Sequence, residues 1–204
     1  MPLANPAFQR TLTDRLLKLN YHALLQIVAV LLGRMGYEDV QVQSRTGYVG
    51  RNCSGGVDIV AYRPVPGGRR LVVVQVKQYA PERAVFKRTL DELRGVCLRS
   101  SAAEALLITT GTFSNTISPT GFAAAPIAPV QLVDGEELAE LLSLYRVGVM
   151  RSQSSGARGF VTFHLDELFF AEMEAAFPGV ARPLPGTRQL VGIVVSVTPR
   201  KRRA

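Results

Sequence analysis

The chain has few of the residues that build metal clusters and membrane spans. It holds only two cysteines, Cys53 and Cys97, with no CxxC pair and no Cys/His cluster. That removes the usual zinc frameworks and predicts free thiols in a reducing compartment. Its two histidines, His22 and His164, are isolated. The most membrane-like run, Leu24 to Leu32, is nine residues long and includes Gln26, whereas a spanning helix needs ~20. The N-terminal MPLANPAF lacks a basic region followed by an apolar core, so no secretory signal is read there. No internal repeat is present. These absences predict a cytoplasmic protein with no membrane partner.

What is there suits a folded domain. The 204 residues are 47% hydrophobic and 20% charged, enough to bury one substantial core and too apolar for disorder. The formal net charge is +8, and the terminal run Arg200-Lys201-Arg202-Arg203 supplies four of those charges. A basic balance favours polyanions, nucleic acid above all, and says nothing about fold.

Local signals lay out the elements. Asn20 is a good helix N-cap, with Leu19 placed to staple onto Leu24. Leu24, Ile27, Val28, Leu31, Leu32 and Met35 follow at helical spacing, and Gly36 ends the helix. VQV (Val40–Val42) reads as a strand, then Ser44–Gly56 as a glycine-rich loop. The stretch Gly55–Tyr79 reads as a β-hairpin with a Pro/Gly/Arg tip. A helix over Val85–Leu98 follows, with Val85, Thr89, Leu93 and Val96 on its stripe. ALLITTG (Ala105–Gly111) is a buried strand, Ser114 opens a short helix, and PVQLV (Pro129–Val133) is a further strand. Asp134 caps the helix GEELAELLSLY. The order of helices and strands predicts an α/β sandwich around one mixed central sheet flanked by helices. Residues 1–147 form this core. Residues 148–204 read as a small C-terminal α+β appendage: a polar linker RSQSSGARG, strand FVTFHL, a helix near Asp166–Phe177, strand QLVGIVVSV and a basic tail.

The hairpin carries three polar residues that a structural ladder does not need. A turn symmetric about Pro66-Gly67 opposes residues whose numbers sum to 133, which sets Asp58 across from Gln75. Lys77 then shares their side, two residues on. The other side, Val57, Ile59 and Ala61 against Val76, Val74 and Val72, is wholly apolar. Even the polar side is apolar nearer the tip, so both faces are expected to be covered. A buried acid or amine is costly unless paired or metal-bound. The plain alternative is an Asp58–Lys77 ion pair closing the sheet end, bridged by Gln75.

These blocks in this order (helix, MGY at Met35–Tyr37, GGVD strand, QVK strand, helix, LLITTGTFS and QLVDGEELAELL) resemble the Mrr-type branch of the PD-(D/E)xK restriction-endonuclease superfamily. The resemblance covers roughly Leu16 to Tyr145. It implies a restriction-endonuclease-like core and Mg²⁺-dependent hydrolysis of DNA, with Mn²⁺ as a substitute ion, and leaves a homodimer open. Asp58 would be the metal-binding carboxylate. Gln75, where most of the superfamily has Glu, would offer its amide oxygen, and Val76 its carbonyl. Lys77 would orient the attacking water and offset charge on the phosphate.

Two departures from the family pattern stand out. Relatives commonly carry Glu on the first helix, about where Leu24, Leu25 and Gln26 lie, and many have Asp where this chain has Ser54. Gln26 is the candidate for the vacant helix position and Glu38 a candidate to be recruited; an exposed helix residue is the plainer reading of Gln26. The alternative function is accordingly a nuclease-fold module that binds DNA or aids assembly with weak or lost catalysis. Arg45 and Arg51 in the glycine-rich loop are candidates to grip phosphates, against solvated loop cations. Ser114 is a candidate to present helix N–H groups to a phosphate, against a plain N-cap.

Overall fold

The computed structural model describes residues 5–43, 56–117, 127–153 and 161–178. Its frame is a five-stranded sheet. A strand at Glu38–Val42 (β1) pairs antiparallel with Ile59–Val65 (β2), which pairs antiparallel with Gly68–Lys77 (β3). From β3 the sheet continues in parallel to Glu104–Thr109 (β5) and Val130–Val133 (β7). The spatial order is β1-β2-β3-β5-β7, so the hairpin strands lie inside the sheet and β3 is its centre. The expected α/β architecture with a mixed central sheet is the architecture observed.

Alternation along the strands divides the core in two. Ile59, Ala61, Val72, Val74, Val76, Leu106 and Ile108 pack under helices Pro6–Lys18 (α1), Tyr21–Arg34 (α2) and Gly135–Tyr145 (α4). Val73, Ala105, Leu107 and Val130 pack on the other face against Lys87–Arg99 (α3). The caps are those the residue types favour. Asn20 Oδ1 accepts from the Ala23 amide at 2.9 Å, and Asp134 Oδ1 accepts from Glu136 and Glu137 at 3.0 and 2.9 Å. Gly36, at φ 95°, turns the chain out of α2 in a conformation that favours glycine.

Several expectations shift. α1 precedes the helix read as the first. Its stretch PAFQRTLTDRLLK is strongly polar and buries only Gln9, Leu12 and Leu16, too thin a stripe to stand out. α3 begins at Lys87, because Val85 belongs to a short strand Ala84–Val85 (β4) that pairs with Thr112–Phe113 (β6). Its buried stripe is Leu90, Leu93, Val96 and Cys97. The start of the polar linker is a strand, Val149–Gln153 (β8), paired antiparallel with Val161–Leu165 (β9). The helix after it runs Glu167–Ala176 (α5), capped by Asp166 Oδ1 on the Phe169 amide at 3.1 Å. The short helix expected after Ser114, the strand Gln189–Val197 and the basic tail lie outside the described residues.

The elements after residue 147 are fastened to the first two helices. Phe170 is fully buried in the same core as Leu12, Leu16 and Ile27. Arg15 of α1 bonds Glu167 and Glu174 of α5, each at 2.9 Å, with its guanidinium 4.9 Å above the Phe170 ring centre. Burial opposes the charge on Arg15, yet the two carboxylates outweigh it and raise its pKa. Among the described residues no helix is long and apolar enough to cross a membrane.

Candidate active site

The hairpin register is the expected one from Ile59↔Val74 to Val65↔Gly68. It breaks one residue earlier. The Asp58 amide donates to Val74 O at 2.9 Å, so Asp58 and Ile59 both address Val74, in the manner of a β-bulge. The slip flips the side-chain parity: Val57, expected beside Ile59 and Ala61, packs against the opposite core with Val73 and Leu107. Asp58 therefore does not stand across from Gln75 as a regular cross-strand pair.

The bulge frees the edge of Val76, and two side chains take it. Asp58 Oδ2 accepts from the Val76 amide at 2.8 Å, and the Tyr21 hydroxyl donates to the Val76 carbonyl at 2.8 Å. Peptide N–H and C=O groups in a strand point along the sheet, so both side chains fill the place where β2 would have continued. Tyr21 is delivered there by the turn between α1 and α2. That turn is itself held, because Gln78 Nε2 donates to Leu16 O and Leu19 O at 3.0 and 2.9 Å.

Gln75 lies on the α3 face, between Val73 and Lys77 in the alternation of β3. It is 6% exposed, and its Oε1 is buried with no hydrogen-bond partner. Such an atom is expensive to leave unpaired, on the order of 1–3 kcal/mol. Gly56 makes room for the amide: at φ +93° it adopts a glycine conformation, and a Cβ there would sit 3.1 Å from Gln75 Nε2. A second buried, unpaired amide oxygen is Gln43 Oε1. Gln43 continues past β1, with its amide donating to Asp58 O at 2.8 Å. Lys77 ends β3, half-buried, its carbonyl accepting from the Thr110 amide and from Thr109 Oγ1.

Other candidates fall elsewhere. Gln26 Nε2 lies 3.3 Å from His22 Nε2. At roughly 100° per residue it stands about 140° around α2 from Tyr21. Leu25, one turn beyond Tyr21 on the site's side, is buried core. Glu38 pairs with Tyr62, four residues and so roughly 13 Å along β2 from Asp58. Ser114 uses its hydroxyl within its own turn, 2.9 Å from Thr116 Oγ1 and accepting from the Thr116 amide. Arg45 and Arg51 lie outside the described residues. Tyr21 and Gln43 were not singled out in the sequence. An aromatic at the start of a helix and an amide at a strand's end carry no local signal of a site.

The opposite end of the sheet is a separate charged cluster. Arg63 donates to the Tyr37 hydroxyl at 2.6 Å and brings Nε within 2.8 Å of Glu104 Oε1. That approach is off the hydrogen-bond line, leaving the oxygen buried without an aligned donor. Burial pushes the Glu104 carboxyl pKa up, against the pull of Arg63 and Arg70.

The donor set fits a hard divalent cation: one carboxylate, one backbone carbonyl and an amide oxygen that is buried and otherwise unpaired. Residues 16–142 match the family model described as restriction endonuclease, Mrr_cat. The chain belongs to the Mrr-type restriction-endonuclease family. Its fold is similar to that of the DNA modification-dependent restriction endonuclease AspBHI, with a TM-score of 0.54 at 14% identity over 70% of this chain and 37% of that one. Weaker likenesses are to the MspJI restriction endonuclease in complex with a 27-mer oligonucleotide (TM-score 0.46, 21% identity, 67% and 30% of the two chains) and to AF1548, a protein of unknown function (TM-score 0.49, 18% identity, 65% and 69%). No curated protein matches. This Mrr-type chain spans little more than a third of AspBHI.

Proposed function

We propose that this chain is a Mg²⁺-dependent endonuclease that hydrolyses phosphodiester bonds in DNA in the cytoplasm, with Mn²⁺ as a substitute ion. The observation that carries the reading is the buried amide oxygen of Gln75, left without a partner one residue from the peptide that Asp58 grips. Asp58, Gln75 Oε1 and the Val76 carbonyl would hold the ion. When bound, the ion lowers the pKa of water and shields phosphoryl oxygens. Asp58 also fixes the Val76 peptide, which sets the directions of Gln75 and Lys77 on either side of it. Lys77 Nζ, on a half-buried stem at the strand's end, orients the attacking water and offsets charge building on the phosphate.

The test is plasmid cleavage in Mg²⁺ or Mn²⁺ by wild type, Asp58→Ala and Lys77→Ala. Cleavage by wild type and loss in both variants is the expected result; cleavage that persists in both overturns the assignment. A second reading, a nuclease-fold DNA-binding module, is favoured by one observation: the site end of α2 presents Tyr21 and buried Leu25 in place of an acid. Salt-sensitive DNA binding without cleavage is its signature.

A further inference from the structure

The register of β1 on β2 brings a residue just past the edge strand level with the site. Gln43 opposes Asp58, donating its amide to Asp58 O at 2.8 Å. Its neighbours Val40 and Val42 pack toward α2, so alternation turns the Gln43 side chain to the α3 face, the same face as Gln75. Three adjacent strands thus carry Gln43, Asp58 and Gln75 close together, with Gln75 one residue past Val74, the residue that Asp58 addresses. Adjacent strands are about 4.8 Å apart, so the outer two backbones stand roughly 10 Å from each other. Two glutamine side chains on one face are together long enough to span that distance. The two amide oxygens share an uncommon property: each is buried and neither has a hydrogen-bond partner. Gln43 Nε2 is held by Gln41 O at 3.1 Å, which orients the amide and leaves its oxygen unused. One such oxygen is an oddity of packing. Two, flanking a carboxylate, form a set of hard donors.

We infer that Gln43 is a further ligand of the divalent cation, contributing Oε1 beside Asp58 and Gln75. The inference rests on the nuclease reading of the same site and supplies a third side-chain oxygen where α2 offers no acid. Hard cations of this kind gather six or more oxygens, waters included. A third side-chain donor therefore raises affinity without any change in the geometry of Asp58.

Gln43→Met is the test, measured by Mn²⁺ titration with electron paramagnetic resonance and by thermal unfolding in chelator, beside wild type and Asp58→Ala. The expected result has two parts. Mn²⁺ affinity falls by at least the roughly tenfold that loss of a ligand's own partner costs. The metal-free Tm changes by no more than about 2–4 °C, because relief of the unpaired buried oxygen offsets loss of the Nε2 bond to Gln41 O. Loss of a purely structural glutamine would lower Tm by more than that and leave affinity unchanged, and that outcome overturns the inference. Mn²⁺ binding that needs Asp58 yet ignores Gln43→Met sinks the Gln43 assignment alone. Failure of wild type to bind Mn²⁺, or binding that survives Asp58→Ala, sinks the nuclease reading and the inference with it.

Discussion

Replacing Gln75 by methionine should stabilise the protein when no metal is present. The side chain is 6% exposed and its Oε1 has no hydrogen-bond partner. An unsatisfied buried polar group costs about 1–3 kcal/mol. Methionine has nearly the same length and no polar carbonyl, and volume-conserving swaps in a core usually cost under about 1.5 kcal/mol. The balance is a net gain of about 1 kcal/mol, which for a domain of this size raises Tm by about 2–4 °C. Metal should reverse the order. At a hundred times its Kd, a ligand that binds only the folded state stabilises by about 2.7 kcal/mol. Wild type would receive that increment and Gln75→Met would not, so the two melting curves cross between chelator and saturating Mn²⁺. Differential scanning fluorimetry under both conditions reads the crossing. If Gln75→Met melts lower than wild type in chelator, the amide oxygen has a partner and the reasoning fails. Equal Mn²⁺ stabilisation of both proteins refutes the role of Gln75 as a ligand.

Tyr21→Phe removes only the hydroxyl on the Val76 carbonyl; Mn²⁺ affinity should fall about tenfold by calorimetric titration while Tm drops by no more than about 2–4 °C. Phe170→Ala opens a cavity in the core shared by α1, α2 and α5, and should cost about 3–5 kcal/mol. Denaturant unfolding should keep a single transition; a separate early transition for residues 148–178 would show that they fold independently. Glu104 has a folded pKa raised above 4.5 by burial, so its contribution is full below that value and lost as pH rises through the folded pKa. The stability of wild type relative to Glu104→Gln should therefore decline as pH rises from the ordinary glutamate pKa, about 4.3, through the raised folded value. A difference that grows with pH would mean that Arg63 and Arg70 dominate.

Elements written in local chemistry were legible. Asn20 and Asp134 announced their helices because a capping side chain acts on amides two or three residues away. The β2–β3 register followed from a tight turn and from apolar residues on both faces. The parts missed depend on distant partners. α1 buries too few residues to show a stripe, and it is a helix because α4 and α5 cover it. β8 looked like a linker because Ser152 and Gln153 suit a solvated two-stranded sheet as well as a loop. At the site, Gln75 and Lys77 were visible as polar breaks in an apolar strand. The bulge at Asp58 was not, since it is stabilised by Tyr21, 37 positions earlier in the sequence, filling the gap that the displaced strand leaves.

The turn that delivers Tyr21 has one more brace. Asn20 Nδ2 donates to Phe177 O at 3.1 Å, and the His22 ring stacks on Phe177 with centres 5.6 Å apart. The residues on either side of Tyr21 are thus held by the far end of α5, 157 residues after Asn20. A ribosome makes the Asp58 and Gln75 strands long before it makes that brace, and domains fold as units during synthesis. The nascent chain consequently carries Gln43, Asp58 and Gln75 while the helix pair that aims Tyr21 still lacks its last support. The support for Tyr21 therefore arrives only once α5 has been made, well after the strands that carry Asp58 and Gln75.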